Sequence, residues 1–500
     1  MKVVEVLDQE QNQHENNVTE ADNSFFKIKK FQFVMLLFFL VFATAGVTTF
    51  ALTFGDEKAV NVGVPERTEF QKLYETYDKL KQNYFTDLDQ EQMVNGAING
   101  MLDSLEDPYS DYMNQEEAKR FEESITSSFE GIGAEIRERD GFISIVSPIK
   151  GSPAEKAGLQ PNDKILEVDG ESIQGMSVTD AVLLIRGEKG TKVTLTIQRP
   201  GIDDEMKVTI TRDEIPIETV YPEMLANGVG KIQITTFSES TYDELMKAIN
   251  DLKSQGMKSL VLDLRQNPGG LLEQAIKISN LFVPEGNVLF QVENNNGDVE
   301  KYAAEAGEKI DLPVAVLIDQ GSASASEILA AAVSESNDLP LIGTKTFGKG
   351  TVQTAHSFDD GSNIKFTTAK WLTPNGNWIH EKGINPDYEV TLPEYSELPV
   401  INYETELKES ALSEQVKAAE EMLKALGYNP GNVDGFYDEK TTEAVKEFQG
   451  NEKLEVTGTL VADSTLRLME KLREKIQEND TQLKKAVELL QTETQPKTES

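Results

Sequence analysis

The chain contains no cysteine. Disulfides, a thiol nucleophile and cysteine-ligated metals are therefore excluded. Histidine is nearly as scarce, at three residues: His14, His356 and His380. Histidines scattered so widely make no metal cluster, and we expect neither a metal nor a cofactor. Basic residues are short too, 48 against 86 acidic ones, which gives a net charge of −38 and a pI of about 4.5. Phosphate binding needs clustered Lys and Arg, so nucleic acid is not an expected partner. The acidity reads as a solvated, soluble surface.

One long uncharged run is present, Phe31–Phe54, with Lys27, Lys29 and Lys30 before it and Asp56 and Glu57 after it. A helix of that length, rising about 1.5 Å per residue, spans a hydrocarbon core of about 30 Å. The lysines lie on the N-terminal side, so the positive-inside rule puts residues 1–30 in the cytoplasm, as a polar disordered tail, and residues beyond 54 outside. The expected location is the cell membrane, single-pass, with the bulk of the chain extracytoplasmic. A cleaved signal peptide is the rival, since Ala43-Thr44-Ala45 has the small-x-small form of a cleavage site. The long tail and long run favour a retained anchor.

At 500 residues the chain is too long for one ordinary domain, and its patterning divides it. Residues 65–128 have helical periodicity (Phe70, Leu73, Tyr74, Tyr77, then Met93, Ile98, Met101, Leu102), broken at Asp107-Pro108. Residues 129–213 alternate short β-like runs with helical stretches at Pro153–Ala157 and Ser177–Leu184. Residues 214–400 read as α/β. Ser259–Leu264 and Pro313–Ile318 are continuous apolar strands, each leading through a loop into a helix, at Leu271–Phe282 and Ala325–Val333. Such units imply a largely parallel sheet, with chemistry at the C-terminal ends of its strands. Residues 413–472 form a small helical unit. Residues 473–500 give one further helix, with Leu483, Val487 and Leu490 on its apolar face, and a polar tail.

The chemistry centres on Gly321–Gln353. Three serines, Ser322, Ser324 and Ser326, lie in a turn that opens a helix. Lys349 follows between Gly348 and Gly350, and Gln353 comes next. A serine at a helix start with an isolated lysine suggests a Ser–Lys nucleophile pair. The residues alone leave the three serines as rivals, although Ser322 suits an N-cap or turn and Ser326 a structural place in the first helical turn. A Ser-His-Asp triad is the chemical alternative. His14 falls in the cytoplasmic tail, and His356 reads as a strand residue behind Gln353. A lysine base must be neutral, and its ordinary pKa is about 10.4, so burial has to depress it.

Leu264-Arg265-Gln266-Asn267-Pro268-Gly269-Gly270, Gly321–Glu327, Thr346–Gln353, Thr368–Pro374 and Gly383–Asp387 together resemble the carboxy-terminal processing proteases, over roughly residues 65–400. The resemblance implies that Ser324 is the nucleophile, Lys349 the general base and Gln353 the residue that orients the lysine. The oxyanion needs two donors. The N–H of Ala325, at the helix start, and one from Gly269 or Gly270 are the candidates. Gly151–Leu159 and Asp163–Gly170 resemble PDZ domains. This implies that Gly131-Ile132-Gly133 holds a C-terminal carboxylate while the peptide adds a strand to a sheet edge. Arg186 matches an arginine that links bound peptide to the active form. Leu426-Gly427-Tyr428, Asp434-Gly435-Phe436, Phe448-Gln449 and Gly458 resemble a peptidoglycan-binding module.

The expected fold class is multidomain, α/β and α+β: a single N-terminal transmembrane helix, a helical N-terminal region, a PDZ domain (129–213), an α/β protease core (214–400) and a small helical C-terminal module (413–472). The expected function is a membrane-anchored serine endopeptidase acting on proteins with free C-termini. Expected partners are peptidoglycan, the membrane and, by resemblance, a second copy of the chain through the terminal helices. A non-enzymatic tether between membrane and wall is the alternative. A wall hydrolase is a third reading, but no paired-carboxylate site is visible for it.

Overall fold

The computed structural model describes residues 67–493, apart from 140 and 203, together with Met35. Among these residues no helix is long and apolar enough to cross a membrane. The run 31–54 expected to do so lies, Met35 excepted, outside the described residues.

The chain divides into two units, residues 1–93 and 94–500. In the first, helix α1 (Gln71–Asn83) precedes the start of α2 (Gln90–Asp103). Tyr77 and Lys81 both donate to Gln90 Oε1, at 3.0 and 3.2 Å. This ties the two helical segments across the turn between them.

The second unit continues with β1 (Asp111–Met113), α3 (Gln115–Thr126) and β2 (Ser128–Gly131). Helix α3 starts where it does because Asn114 caps it. The Asn114 side chain accepts from the N–H of Glu116 and Glu117, and Glu117 accepts from the Asn114 N–H in return. Strands β3 (Ala134–Arg139) and β4 (Phe142–Pro148), helix α4 (Pro153–Lys156), strands β5 (Lys164–Val168) and β6 (Glu171–Ser172), helix α5 (Val178–Ile185) and strands β7 (Lys192–Gln198) and β8 (Met206–Thr211) follow. They make an antiparallel sheet in the order β3-β4-β5-β7-β8, with β6 on β5. Ile143, Ile145, Ile165, Leu195 and Ile197 fill its core. β3 is an edge strand, beside α5. β9 (Asp213–Pro216) returns to pair with β2.

Next come β10 (Val220–Met224), β11 (Val229–Ile234), α6 (Thr241–Ser254), β12 (Ser259–Asp263), α7 (Leu272–Phe282), β13 (Val288–Asn294), β14 (Val299–Ala303), β15 (Val314–Ile318), α8 (Ala325–Asn337), β16 (Leu341–Gly343), β17 (Thr351–Ser357), β18 (Asn363–Leu372) and β19 (Tyr388–Glu389). One sheet runs β10-β11-β12-β15-β16-β19, parallel from β11 onward. A second, antiparallel sheet runs β1-β18-β13-β14, with β17 also on β18. Every residue of β12 and β15 is buried, as expected of parallel strands covered on both faces. Helices α6, α7 and α8 cover one face, with Leu245, Ile249, Ile278, Leu281 and Leu329.

The other face is covered by the end of the chain. Helices α9 (Glu414–Leu426), α10 (Glu439–Asn451) and α11 (Asp463–Glu478) pack together around Leu423, Phe448 and Leu468. Helix α12 (Thr481–Glu493) then leaves them and lays Ala486 and Leu490 on Val229, Val261, Ala315, Leu317 and Ile342 of the parallel sheet. Burying an aliphatic side chain is worth about 1.5–3 kcal/mol, so this strip of apolar residues fixes α12 to the sheet. The sequence shows the apolar stripe of this helix; the structure shows what it covers.

Candidate active site

Three loops at the C-terminal ends of adjacent parallel strands, β12, β15 and β16, build the site. After β12 the chain runs through Arg265–Gly270, and after β15 it runs through the serine turn into α8. The three serines have separate roles there. Ser322 Oγ donates to the Leu264 carbonyl at 2.8 Å and accepts from the Asp319 N–H. Ser326 Oγ donates to the Asn267 carbonyl at 2.9 Å. Both are fully buried and stitch the first two loops together. Ser324 is half-buried, and its hydroxyl is bonded to no other side chain among the described residues. Its backbone sits at φ 54°, ψ −114°, a region that costs about 1–3 kcal/mol and persists where the surroundings enforce it.

Glu327, one turn into α8, does the enforcing. Its side chain is fully buried. Oε2 accepts from the N–H of Ser324 at 2.9 Å and of Lys349 at 2.8 Å. Oε1 accepts from the Gly348 N–H at 2.7 Å and the Thr346 hydroxyl at 2.5 Å. One carboxylate thus holds the backbones of both Ser324 and Lys349. Its signal in the sequence is a capping glutamate three residues after a helix-opening serine.

Lys349 Nζ lies 4.9 Å from the centroid of the Tyr109 ring and makes no hydrogen bond or ion pair among the described residues. Burial pushes its pKa below the ordinary lysine value, and the neighbouring Lys365 ammonium pushes the same way. Asp107 and Glu327 oppose them without reversing the shift. Gly348 has φ +94°, and a Cβ there would come within 2.8 Å of the Gly383 N–H nitrogen, so the loop before the lysine packs as only glycine allows. The Trp371 indole donates to the Lys349 carbonyl at 2.8 Å and fixes the residue from the other side.

Tyr109 and Asp107 belong to the Asp107-Pro108 break, which nothing in its own sequence marks as part of a site. Burial pushes the Asp107 carboxyl up, but hydrogen bonds from Ser110, Thr367 and the Tyr109 N–H outweigh it and leave the pKa lowered. Burial and the Asp107 charge both raise the Tyr109 phenol. Tyr109 also meets His380 edge-on, with ring centroids 6.0 Å apart, and His380 stacks on Trp378. His380, read as scattered, therefore lines the lysine loop. His356 is exposed on β17 and stacks edge-on with Phe358.

Two of the expected site residues have their polar groups engaged elsewhere. The Gln353 amide nitrogen donates to Thr351 Oγ1 at 2.9 Å and Thr367 Oγ1 at 3.1 Å. No hydrogen bond joins Gln353 to Lys349 among the described residues. A register shift in β17 between Val352 and Gln353 sets the direction of its side chain. The N–H of Gly269 is engaged: it donates to Asn267 Oδ1 at 2.9 Å. Gly269 nonetheless lies against Ser324, because a Cβ on it, at φ +105°, would lie 2.8 Å from the Ser324 Cβ. The N–H groups of Gly270 and Ala325 have no protein acceptor among the described residues.

Away from this centre, Gly131 ends β2 and Gly133 turns the chain into β3 at φ +73°. The carbonyls of Ile132 and Gly133 are taken, by the N–H of Ala154 and by Ile149 N–H and Ser152 Oγ respectively. The N–H groups of Ile132 and Gly133 meet no protein acceptor among the described residues. At the other end of the groove between β3 and α5 a cavity of about 990 Å³ opens, walled also by Tyr403, Leu454 and Val461 of the C-terminal helical unit. Arg186 pairs with Glu123 of α3 at 3.0 Å and lies 4.5 Å from the Phe129 ring.

Among the described residues no three His, Asp or Glu side chains are placed to hold a metal. The family model for peptidase family S41 matches residues 228–390. The models for the CtpB N-terminal domain, a PDZ domain and a peptidoglycan-binding domain match 51–117, 144–199 and 413–461. The carboxy-terminal processing protease CtpA of Bacillus subtilis is 50% identical over 461 residues, covering 91% of this chain and 98% of that one. CtpB of the same organism is 44% identical, over 84% of this chain and 88% of its own. A probable CtpA-like serine protease of Staphylococcus epidermidis is 37% identical, over 95% and 96%. The tether without enzymatic activity is therefore set aside: the chain belongs to the carboxy-terminal processing proteases, serine peptidases of family S41 that carry a PDZ domain.

Proposed function

We propose that this serine peptidase cuts extracytoplasmic proteins by a Ser–Lys mechanism. The observation that carries the reading is the single buried carboxylate of Glu327, which holds the N–H groups of Ser324 and Lys349 at 2.9 and 2.8 Å. Lys349, its pKa lowered by burial, takes the proton of Ser324 Oγ in its neutral form as that oxygen attacks the scissile carbonyl. The oxyanion forms against the free N–H groups of Ala325 and Gly270. The first stands at the start of α8, where backbone amides are unpaired and the dipole favours negative charge. The protonated lysine gives its proton to the leaving amine, and water hydrolyses the acyl-enzyme. Gln353, held by two threonines, is the lysine's positioning neighbour in this scheme.

Substrates enter by their C-termini. The carboxylate meets the free N–H groups of Ile132 and Gly133, and the peptide adds a strand to the edge of β3. Arg186, tied to Glu123, reports that occupancy to the protease core. Residues 31–54 hold the chain in the membrane with residues beyond 54 outside, the module at 413–472 engages peptidoglycan, and the terminal helices pair two copies.

The test incubates the full chain, in detergent, with an unstructured protein ending in apolar residues. Cleavage that disappears in Ser324→Ala, and that weakens when the substrate's C-terminus is amidated, is the expected result. Equal cleavage by wild type and Ser324→Ala would remove the nucleophile from the scheme.

A further inference from the structure

The loop that carries Gly269 and Gly270 begins at Arg265, and the guanidinium of Arg265 is fully used. Nε donates to Asp263 Oδ1 at 2.8 Å, and Nη2 to Asp263 Oδ2 at 2.7 Å. Nη2 and Nη1 donate to the two oxygens of Asp480 at 2.7 and 3.0 Å, and Nη1 to Gln482 Oε1 at 2.9 Å. A guanidinium has five N–H donors, and each has an acceptor here. The side chain is only 11% exposed. Burial works against its charge, but the two carboxylates outweigh that and raise its pKa above the ordinary value.

The two acids come from distant parts of the chain. Asp263 ends β12, the strand that feeds the loop. Asp480 sits between α11, which is built into the C-terminal module through Leu468 and Leu472, and α12, which lies on the parallel sheet. Asp480 is itself fixed, because it also accepts the Leu483 N–H at 2.8 Å. From Arg265 onward the loop has little slack. Gln266 takes φ +58° and is held by Asp319, and Asn267 accepts the N–H of Gly269 and donates to the Ile234 carbonyl. A guanidinium deprived of Asp480 keeps two buried donors without partners. It must turn or admit water, and the backbone that leaves β12 turns with it.

We propose that Asp480 is a positioning residue for the peptidase reaction. Through Arg265 it sets the loop that presents the Gly270 N–H, and so makes the junction of α11 and α12 part of the assembled active site. This rests on the Ser–Lys reading above, with Gly270 as an oxyanion donor. Nothing in the serine and lysine motifs, which lie more than a hundred residues upstream, points to a requirement for residue 480.

The experiment uses the full chain with Asp480→Asn, Asp480→Glu and, as a control on the same helix, Val487→Ala. Readouts are kcat and KM on the unstructured substrate, acylation by a fluorophosphonate, the pH midpoint of activity, and Tm. Asp480→Asn is expected to lower kcat and acylation by about ten- to a hundredfold, short of deleting a donor outright, with KM and the pH midpoint unchanged. Asp480→Glu recovers part of the loss, and Val487→Ala lowers Tm while keeping kcat. Wild-type kcat in Asp480→Asn, or an equal loss of kcat in Val487→Ala at equal loss of Tm, overturns the proposal. Retention of cleavage and labelling by Ser324→Ala is a different failure, that of the Ser–Lys reading itself.

Discussion

Among the described residues two glutamates are fully buried, Glu327 in the protease core and Glu420 in the C-terminal module, and they use their carboxylates differently. Each oxygen of Glu327 takes a pair of donors: two backbone N–H groups on one side, one N–H and one hydroxyl on the other. Glu420 takes the N–H groups of Asp434 and Gly435 on Oε2, while its Oε1 takes the hydroxyl of Thr441. A hydroxyl can reverse its bond and accept, whereas a backbone N–H cannot. Glu420 therefore faces one side that tolerates a donor, and Glu327 faces none. Burial raises the Glu420 carboxyl above its ordinary value, against the pull of its hydrogen bonds. In the module the device holds a loop. In the protease core it holds the residues of the proposed chemistry.

The comparison first needs its chemical side to be real. Ser324→Ala and Lys349→Ala should each lower kcat/KM by at least about a thousandfold, read by cleavage of the unstructured substrate, with Tm preserved. Activity within tenfold of wild type in either would leave Glu327 holding nothing of catalytic use.

Glu327→Gln should come next in size. Whichever way the amide turns, its NH₂ faces at least one N–H, and a buried unmatched donor costs about 1–3 kcal/mol. We expect kcat to fall about ten- to a hundredfold, with a lower Tm. Wild-type kcat in this variant would show that the shared carboxylate is dispensable.

Glu420→Gln should be the smallest change, because its amide can donate to Thr441 and still accept from the Asp434 and Gly435 N–H groups. Catalysis should not change. The sign of its pH effect follows from the raised pKa. The folded module keeps a proton that the unfolded chain has lost, so wild-type stability declines as pH rises from the ordinary carboxyl value through the folded one. The glutamine variant should lack that slope in Tm against pH. A fall in Tm at neutral pH as large as that of Glu327→Gln would erase the distinction between the two sites.

Much of this architecture is legible in the residues, and the limits have physical causes. The wholly apolar runs of β12 and β15 announce a parallel sheet, because strands covered on both faces carry no polar alternation. The serine turn and the glycine-flanked lysine announce the chemistry, because their types and order are local. Gly269 and Gly270 stand on equal terms as oxyanion donors until the local turn that takes the Gly269 N–H onto Asn267, two residues earlier, is seen. Gln353 was assigned to the lysine, yet its amide is bound by Thr351 and by Thr367 of the neighbouring strand, a pairing that depends on register. Tyr109 lies more than two hundred residues from the lysine it faces, and Asp480 a similar distance from Arg265. No periodicity within either segment encodes such a meeting.

The central claim is that burial keeps Lys349 neutral enough to take a proton from Ser324. The most direct measurement is the rate of fluorophosphonate labelling of the full chain against pH, with Ser324→Ala as the blank. A lysine base with a lowered pKa predicts labelling that rises with pH through a single titration whose midpoint lies below the ordinary lysine value of 10.5. A midpoint at or above that value, or labelling that does not change with pH, would contradict it.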